Sequence, residues 1–363
     1  MPGTFFKNIR KWFGHTPLLL KLKEAKRIHS LPKYSKADAT NSEKSQKSII
    51  FLSPAINKAT GGVKVIFKQA AIINSLNSDL SASVLHPTKP NFKCTWFKHD
   101  AVYKLDLKLN PKYDFVIVPE FWAVPHAKLL HELGAKYGIY VQNGYSIVFN
   151  NGKELDAAYN NATLILGISE DTVDCIKLAF PECSDRLYRV HCSVNPEQFI
   201  ASPQKENIIC YMPRKMSSHS RLVTFFLNKI LPPHWQIVSI DGLDETGVAN
   251  TLGKARIFLS FSELEGLSLP PIEAALSGCH VIGYTGEAAK EYWDTEIFTE
   301  IYSGDIKAFV QAVLTKIAQL DKDPSVKHFA AIKKLADRYS SQIELEDMKL
   351  VSRKICEILE KSN

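Results

Sequence analysis

Short apolar runs alternate with amphipathic segments along most of the chain. The runs have the length of strands and are rich in Ile, Val, Leu and Phe, as in strands buried on both faces. They occupy 48–53, 82–86, 114–120, 139–143, 162–169 and 186–194 and, after a loop at 195–206, 207–212, 235–241, 255–262 and 279–285. Strands that alternate with helices predict parallel sheets covered by helices on both faces.

The alternation forms two series, joined by a loop with two prolines. A chain of 363 residues suits two domains, because single cores rarely grow beyond about 250–300 residues. We predict an α/β protein with two Rossmann-like domains facing across a cleft, with ligands beyond the carboxyl ends of the strands. The predicted limits are a basic arm at 1–48, an N-terminal domain at 49–195, a C-terminal domain at 196–338 and a helix at 339–363 that packs back on the N-terminal domain.

Composition indicates an ordinary globular protein. Its seven cysteines are scattered without a C-x-x-C pair, which predicts reduced thiols, a cytoplasmic location and no zinc site. No apolar run approaches the roughly 18–20 residues of a spanning helix. The N-terminal segment lacks the apolar core of a signal peptide, so secretion is not expected.

The positive charge is concentrated at the N-terminus. Residues 1–48 hold eleven Lys and Arg against three acids, whereas the whole chain has a net charge of +7. Aromatic residues are interleaved with the basic ones in this arm. Two interpretations remain open: residues 1–30 bind an anionic membrane surface, giving a peripheral protein, or a partly disordered arm packs its aromatics on the body. Nucleic-acid binding is not expected, since the rest of the chain has no basic stripe.

The stretch "SELEGLSLPPIEAALSGCHVIGYTG" (262–286) carries the most specific chemistry. It predicts a strand end, a turn sharpened by Gly266, and a helix that starts at two prolines. Turn amides and the helix dipole would form an anion site; these amides belong to Gly266, Leu267, Ser268 and Leu269. Glu265 and Glu273 reach the same region, and carboxylates repel phosphate but bind hydroxyls. Phosphate between hydroxyl-bearing groups indicates a nucleotide sugar.

This stretch resembles the signature of retaining glycosyltransferases of the GT-B fold, family 4. The usual form is S-x-x-E-G-[FL]-[GS]-L-P-x-x-E-A-x-A-x-G-x-P-V-[IV], and His280 replaces the usual proline. The resemblance implies that Glu273 holds the ribose of the donor and that Glu265 contacts its sugar. The turn amides would take the diphosphate.

The resemblance is thinner elsewhere. "CYMPRKM" (210–216) occupies the place of a G-R-[LF]-x-x-x-K-G segment, which implies that Arg214 and Lys215 neutralise the diphosphate. "NKATGG" (57–62) resembles a glycine-rich first loop, where Gly61 and Gly62 would approach donor or acceptor. "GEAAKE" (286–291) resembles a G-G-x-x-E loop with one glycine missing, and "SVNPEQF" (193–199) a hinge that has lost its glycine.

The resemblance also implies a front-face transfer, in which the departing phosphate oxygen takes the acceptor's proton. The acceptor-side candidates are Glu120, Gln142 and Asn143, which lie at the ends of predicted strands, with Glu120 as a catalytic residue. Two roles remain open for His126: a structural histidine or a residue of the site. We predict no metal and no cofactor besides the donor substrate, because the only D-x-D triplet (321–323) lies in a polar break.

The expected protein is a metal-independent hexosyltransferase in bacterial surface polysaccharide or lipopolysaccharide synthesis, with a glycan or lipid-linked glycan acceptor. Two alternatives remain: a nucleotide-sugar epimerase of the same fold and a non-catalytic glycan-binding relative. The sequence does not give the base, the sugar, the linkage or the acceptor.

Overall fold

A computed structural model describes residues 32–37, 46–58, 60–76, 79–150, 152–324 and 328–361. The predicted membrane-binding segment at 1–30 therefore lies outside the described residues. The chain forms two compact units: one comprises the chain up to Ile139, Gly152–Thr163 and the end from Lys354, and the other comprises Tyr140–Asn151 and Leu164–Arg353. The domain limits drawn from the sequence stay predictions.

The described ranges contain fourteen strands and ten α-helices. The strands are β1 (Ser35–Lys36), β2 (Lys47–Leu52), β3 (Leu80–Leu85), β4 (Tyr103–Lys104), β5 (Lys108–Leu109), β6 (Asp114–Pro119), β7 (Lys136–Val141), β8 (Leu164–Gly167), β9 (Leu187–Arg189), β10 (Glu206–Tyr211), β11 (Gln236–Ser239), β12 (Ala255–Ser260), β13 (His280–Gly283) and β14 (Phe298–Glu300). The helices are α1 (Gly61–Ser75), α2 (Ala123–Leu133), α3 (Lys153–Asn161), α4 (Glu170–Ala179), α5 (Ser217–Ile230), α6 (Glu245–Lys254), α7 (Leu269–Leu276), α8 (Ile306–Lys322), α9 (Phe329–Arg338) and α10 (Ser341–Glu360).

The first unit contains a parallel sheet. Its strands lie in the order β4-β3-β2-β6-β7, and β2 pairs in parallel with both β3 and β6. The strand order reverses between β2 and β6, so the carboxyl ends of these two strands flank a topological switch point. The end of α10 also belongs to this unit, where Lys47 pairs with Glu360.

The second unit contains a five-stranded sheet in the order β11-β10-β12-β13-β14, with every neighbour pair parallel. Alternate residues of each strand point to opposite faces. On one face Ile209 and Ile257 join a core formed with α5 and α8, and on the other Cys210 and Phe258 join a core formed with α6, α7 and α9. The predicted α/β class with helix-covered parallel sheets is confirmed.

Local signals explain where elements end. The sequence pattern predicts a helix through 127–138 and a strand from 139, but α2 ends at Gly134, which takes a positive φ of 77°. Glycine adopts this left-handed conformation without a steric penalty, so the strand β7 starts earlier, at Lys136. Within the described ranges, no helix is both long and apolar enough to cross a membrane.

Candidate functional site

The candidate site lies at the switch point of the five-stranded sheet. The strand order reverses between β10 and β12, which are neighbours in the sheet but separated by β11 in the chain. Ligands of open α/β sheets bind outside the carboxyl ends of the strands at such a point. The segments that leave these two ends are 212–216 after β10 and 261–268 after β12, and both carry predicted site residues.

An ion pair joins the two segments. Lys215 Nζ donates to Glu265 Oε1, and the two side chains are 43% and 20% exposed. The pair connects residues that are 50 positions apart in the chain, so the sequence alone gives no sign of it. A cation and a carboxylate are thereby held side by side at the carboxyl ends of β10 and β12.

Lys215 is held by a tight turn that precedes α5. Its amide donates to the carbonyl of Met212 over 3.2 Å, and Met216 takes a left-handed conformation with φ 41° and ψ 56°. A positive φ is uncommon for a residue other than glycine. Met216 follows the lysine where the resembled K-G segment has its glycine, so the backbone keeps a glycine-like shape there.

Arg214 projects further into solvent than its neighbour. Its Nε lies 3.3 Å from Asp241 Oδ1, in a pair whose side chains are 72% and 54% exposed. An ion pair this exposed contributes little to stability. The guanidinium can therefore leave Asp241 and bind an anionic ligand with little loss of free energy.

The turn after β12 is shaped by a close main-chain approach. A Cβ on Gly266 would lie 1.7 Å from the carbonyl oxygen of Gln142 and 2.7 Å from Asn143 Cα. The sequence predicts that Gly266 sharpens a turn, but its φ is not positive. The structure adds a physical reason for glycine at this position: another stretch of backbone passes directly over it.

The amides of this turn are the predicted anion donors. The side chains of Leu267 and Leu269 pack into the core, and in the described part of the chain the amides of Gly266, Leu267 and Ser268 have no hydrogen-bond acceptor. The next two helix positions, Pro270 and Pro271, have no N–H. The turn and Leu269 therefore supply the donors, with little contribution from the following turn of α7.

A buried polar network supports the start of α7. Ser268 is the N-cap residue, but its hydroxyl lies 2.9 Å from the Ser262 hydroxyl and does not cap the helix. Tyr292 donates its hydroxyl to the Ser268 carbonyl over 2.6 Å. These contacts hold the main chain of the turn in place.

Glu273 lies in α7, half-buried, and engages other groups of the chain. Burial is the main cause that raises the pKa of the Tyr292 phenol well above its usual value, and the charges of Glu265 and Glu273 add to it. Both carboxylates of the E-x7-E pair are thus close enough to affect one buried phenol. The structure brings them to the same end of the sheet.

A cavity of about 460 Å³ opens beside the ion pair in the second unit. Its wall includes Arg214, Lys215 and Glu265, together with Asn143 and Tyr145 from the segment after β7. Asn143 Nδ2 donates to the Leu264 carbonyl over 3.0 Å, which ties that segment to the turn after β12. The volume is that of a small-molecule site.

Sequence reasoning missed a half-buried acid that contacts Tyr145. Tyr145 donates its hydroxyl to Asp171 Oδ1 over 2.9 Å. Burial raises the pKa of Asp171, and the nearby charges of Glu287 and Asp174 act in the same direction against the Tyr145 hydrogen bond. Burial also raises the pKa of the Tyr145 phenol. The position of Tyr145 two residues after the candidate Asn143 was the only available signal.

Glu291, the acid of the loop that resembles G-G-x-x-E, lies one residue beyond the last position of that motif counted from Gly286, and it is engaged by the chain itself. Its side chain is 3% exposed and forms a 2.7 Å ion pair with Arg189. It also accepts from the Glu170 amide over 2.7 Å and from the Tyr339 hydroxyl. A buried carboxylate with an ion pair and two further hydrogen bonds is suited to stabilising the fold rather than to binding a ligand.

The loop that contains Glu291 starts with a strained residue. Glu287 has φ 67° and ψ −63°, and the Ala288 amide donates to the Gly286 carbonyl over 2.9 Å. These values describe a γ-turn of the rare positive-φ form. Glu287 occupies the place of the missing second glycine. Its main chain pairs with that of Glu265 in an isolated parallel β-bridge.

The remaining predicted residues lie in the first unit. Gly61 and Gly62 start α1 after β2, and Glu120 follows β6, so they flank the switch point of that sheet. Glu120 is 4% exposed and has partners in the chain. His126 is buried in α2 with its Nδ1 2.7 Å from the Tyr34 hydroxyl, an arrangement that suits a structural histidine.

Comparison with known proteins adds the context of the fold. No protein-family model matches the chain. Among solved structures, sucrose-phosphate synthase from Thermosynechococcus elongatus superposes with a TM-score of 0.61 and 12% identity, covering 87% of this chain and all of that one. The lipopolysaccharide outer core galactosyltransferase WaaB has a TM-score of 0.61 and 12% identity, covering 84% and 99%.

The fold is GT-B-like. Anabaena HepE in complex with UDP-glucose has the same architecture, with a TM-score of 0.59 and 12% identity over 86% of this chain and 99% of that one. At the sequence level, an alpha-1,6-glucosyltransferase of Actinobacillus pleuropneumoniae serotype 7 is 34% identical over 109 residues. That match spans 29% of this chain and 30% of the relative.

Proposed function

We propose that the protein is a retaining glycosyltransferase that moves a hexose from a nucleoside-diphosphate sugar to a glycan or lipid-linked glycan acceptor. The observation that carries this proposal is the arrangement at the switch point of the second sheet. Lys215 and Glu265 are paired there, beside a turn whose amides have no acceptor among the described residues. Cation, free amides and carboxylate suit a ligand that combines phosphate with hydroxyl groups.

The proposed binding roles follow from charge. The diphosphate binds the turn amides of 266–269 and the cations Lys215 and Arg214. Binding it releases Lys215 from part of its pairing with Glu265, which frees that carboxylate for a sugar hydroxyl. Glu273 binds the ribose hydroxyls. The ion pair thus keeps both side chains in position before the donor arrives.

The proposed chemistry needs little from the protein besides positioning and charge. The bond between the sugar's anomeric carbon and the phosphate oxygen breaks as a bond to the acceptor oxygen forms on the same face. The acceptor's proton passes to the departing phosphate oxygen. Lys215, Arg214 and the turn amides stabilise the negative charge that develops on the diphosphate. We expect the transfer to proceed without a metal.

The comparisons suggest which donor to test first. HepE is described in complex with UDP-glucose, and the sequence relative is named an alpha-1,6-glucosyltransferase. WaaB is described as a lipopolysaccharide outer core galactosyltransferase. We therefore propose a UDP-hexose donor and a role in bacterial surface polysaccharide synthesis.

A donor panel tests the proposal. The full chain is incubated with UDP-, GDP- and dTDP-hexoses, with and without extracted lipid-linked glycans or surface polysaccharide fragments, and nucleotide release is measured. Release that depends on the acceptor and retention of the α-configuration in the product support the proposal. Interconversion of the donor sugar without release supports the epimerase alternative, and tight binding without turnover supports the glycan-binding one. Loss of activity in EDTA would contradict metal independence.

The second unit offers a matched control for the ion pair. Lys254 and Glu206 form an exposed pair over 3.5 Å on the same unit. Lys215→Ala and Glu265→Gln should each lower kcat/KM at least tenfold. A loss of this size corresponds to about one charge-assisted hydrogen bond. Lys254→Ala and Glu206→Gln should leave kcat/KM unchanged. Equal effects in both pairs would remove the functional role of Lys215 and Glu265.

A further inference from the structure

Helix α5 exposes four large apolar side chains on one face and buries two small polar ones on the other. Its inner face carries Ser220 and Thr224 next to two buried aliphatic residues, and Thr224 Oγ1 donates to the Ser220 carbonyl over 2.8 Å. Its outer face carries four large apolar side chains in an i, i+3, i+4, i+8 pattern. They are Leu222, Phe225, Phe226 and Ile230, which are 47%, 55%, 46% and 53% exposed.

Such a continuous face differs from scattered exposed apolar residues. Residues at this spacing lie side by side on one side of a helix. The rings of Phe225 and Phe226 also contact each other, with centroids 5.4 Å apart. A contiguous apolar face on a protein surface marks an interaction site.

The charges around this face are mostly positive. No Asp or Glu occurs between Glu206 and Asp241, a stretch that contains the whole of α5. Arg221 flanks the apolar face, and Lys229 Nζ lies 5.7 Å from the ring centroid of Phe225. Helix α8, which packs against α5, adds three lysines and one aspartate.

We propose that the outer face of α5 docks on an anionic lipid bilayer, with its four apolar side chains in the interfacial layer and its basic residues at the headgroups. An amphipathic helix with aromatic and aliphatic residues on one face and Lys or Arg beside them binds membranes in this way. A second copy of this chain would instead bring Arg221 and Lys229 against their own counterparts. The charge pattern therefore favours lipid over self-association.

Docking through α5 would place the candidate donor site close to the bilayer. The helix starts two residues after Lys215, and its fourteen residues span about 21 Å. If the proposed transfer uses a lipid-linked acceptor, this placement keeps the donor site at the surface that holds the acceptor. The docking itself rests only on the helix and not on the transfer.

The first experiment measures binding of the full chain to vesicles of phosphatidylcholine with 30 mol% phosphatidylglycerol. Phe225→Ser/Phe226→Ser should lower the partition coefficient at least tenfold, and pure phosphatidylcholine should bind more weakly than the anionic mixture. Leu178→Ser is the control, since Leu178 is 88% exposed on α4, a helix with three acids. Unchanged binding of the double variant, or equal binding to both vesicles, would overturn the proposal.

A second readout identifies the inserted side chain, because membrane binding by residues 1–30 is one of the two interpretations left open for the basic arm. Phe226→Trp should show added quenching by brominated lipids, and Leu178→Trp should not. No added quenching at Phe226 would overturn the proposal, as would a dimer in lipid-free solution that Phe225→Ser/Phe226→Ser abolishes. Nucleotide binding without vesicles should match wild type in the double variant, which shows that it folds. Vesicle binding by a protein without transferase activity would refute the proposed function alone.

Discussion

The substitution Gly266→Ala tests how the turn after β12 is built. The added Cβ would lie 1.7 Å from the carbonyl oxygen of Gln142, 2.6 Å from its carbonyl carbon and 2.7 Å from Asn143 Cα. All three are main-chain atoms, which cannot rotate away as the end of a side chain can. The two backbone segments must therefore separate.

The size of the effect follows from that separation. Cβ atoms essentially never approach a heavy atom closer than 3.0 Å, so the carbonyl oxygen and the turn must move apart by more than about 1 Å. Overpacking of this kind costs about 1–3 kcal/mol. For a unit of this size, each kcal/mol lowers the melting temperature by about 2–4 °C. The same movement displaces the amides proposed to bind the diphosphate, so nucleotide affinity should fall at least tenfold.

Thermal unfolding and a nucleotide titration on the same samples check both expectations. Gly61→Ala is the matched control, because it is also a predicted site glycine but a Cβ there meets no heavy atom within 4 Å. Gly61 starts α1, so alanine should leave the melting temperature unchanged or raise it slightly. If Gly266→Ala melts and binds nucleotide as wild type does, the close-approach explanation of Gly266 is refuted.

Three further predictions follow from single residues. Burial lowers the pKa of His280 from 6.5 to about 3, so between these two pH values only the unfolded chain binds the proton. Urea denaturation should therefore show the free energy of unfolding falling by about 1.4 kcal/mol for each pH unit below 6.5, and His280→Gln should remove this contribution. Glu287→Gly should be more stable than Glu287→Ala by about 1 kcal/mol in the same assay, since only glycine relaxes at φ 67°, and equal stabilities would refute the strain. Glu273→Ala should weaken nucleotide binding whereas Glu265→Ala should mainly lower kcat, and indistinguishable kinetics would contradict this division of roles.

The alternating apolar runs predict ten of the fourteen described strands, and the short strands β1, β4, β5 and β14 have no such run. Continuous runs such as 255–262 predict buried parallel strands, and β12 occupies Ala255–Ser260. Because parallel sheets place ligands at the carboxyl ends of their strands, the location of Glu265 beyond β12 also follows from the pattern. What the pattern cannot supply is strand order, since β10 and β12 become neighbours only when β11 packs on the outer side of β10.

The contacts that build the candidate site are therefore less predictable than its residues. The pairing of Lys215 with Glu265 depends on that strand order, and so does the passage of Gln142 over Gly266. The Tyr145–Asp171 pair lies on segments with no recognisable motif. Local sequence signals report helices, turns and strand ends, but these interactions form between segments that are distant in the chain.

Two departures from the resembled motifs become informative once the backbone is considered. Met216 and Glu287 stand where the resembled motifs carry glycine, and they are the described non-glycine residues with positive φ. A side chain in this conformation costs of order 1–3 kcal/mol and persists only where the surroundings over-determine the backbone. By contrast, the hinge near Asn195, which has also lost a glycine, shows no positive φ.

The main chain thus takes a positive φ at two positions that adjoin Lys215 and Glu265, although neither residue there is glycine. Strain of this kind concentrates at functional sites, where several groups must be held in one arrangement. A chain that had lost its donor site would have no reason to keep two strained residues around one ion pair, because relaxing either loop would improve stability. The strain therefore adds to the support that the motif residues give the proposed donor site.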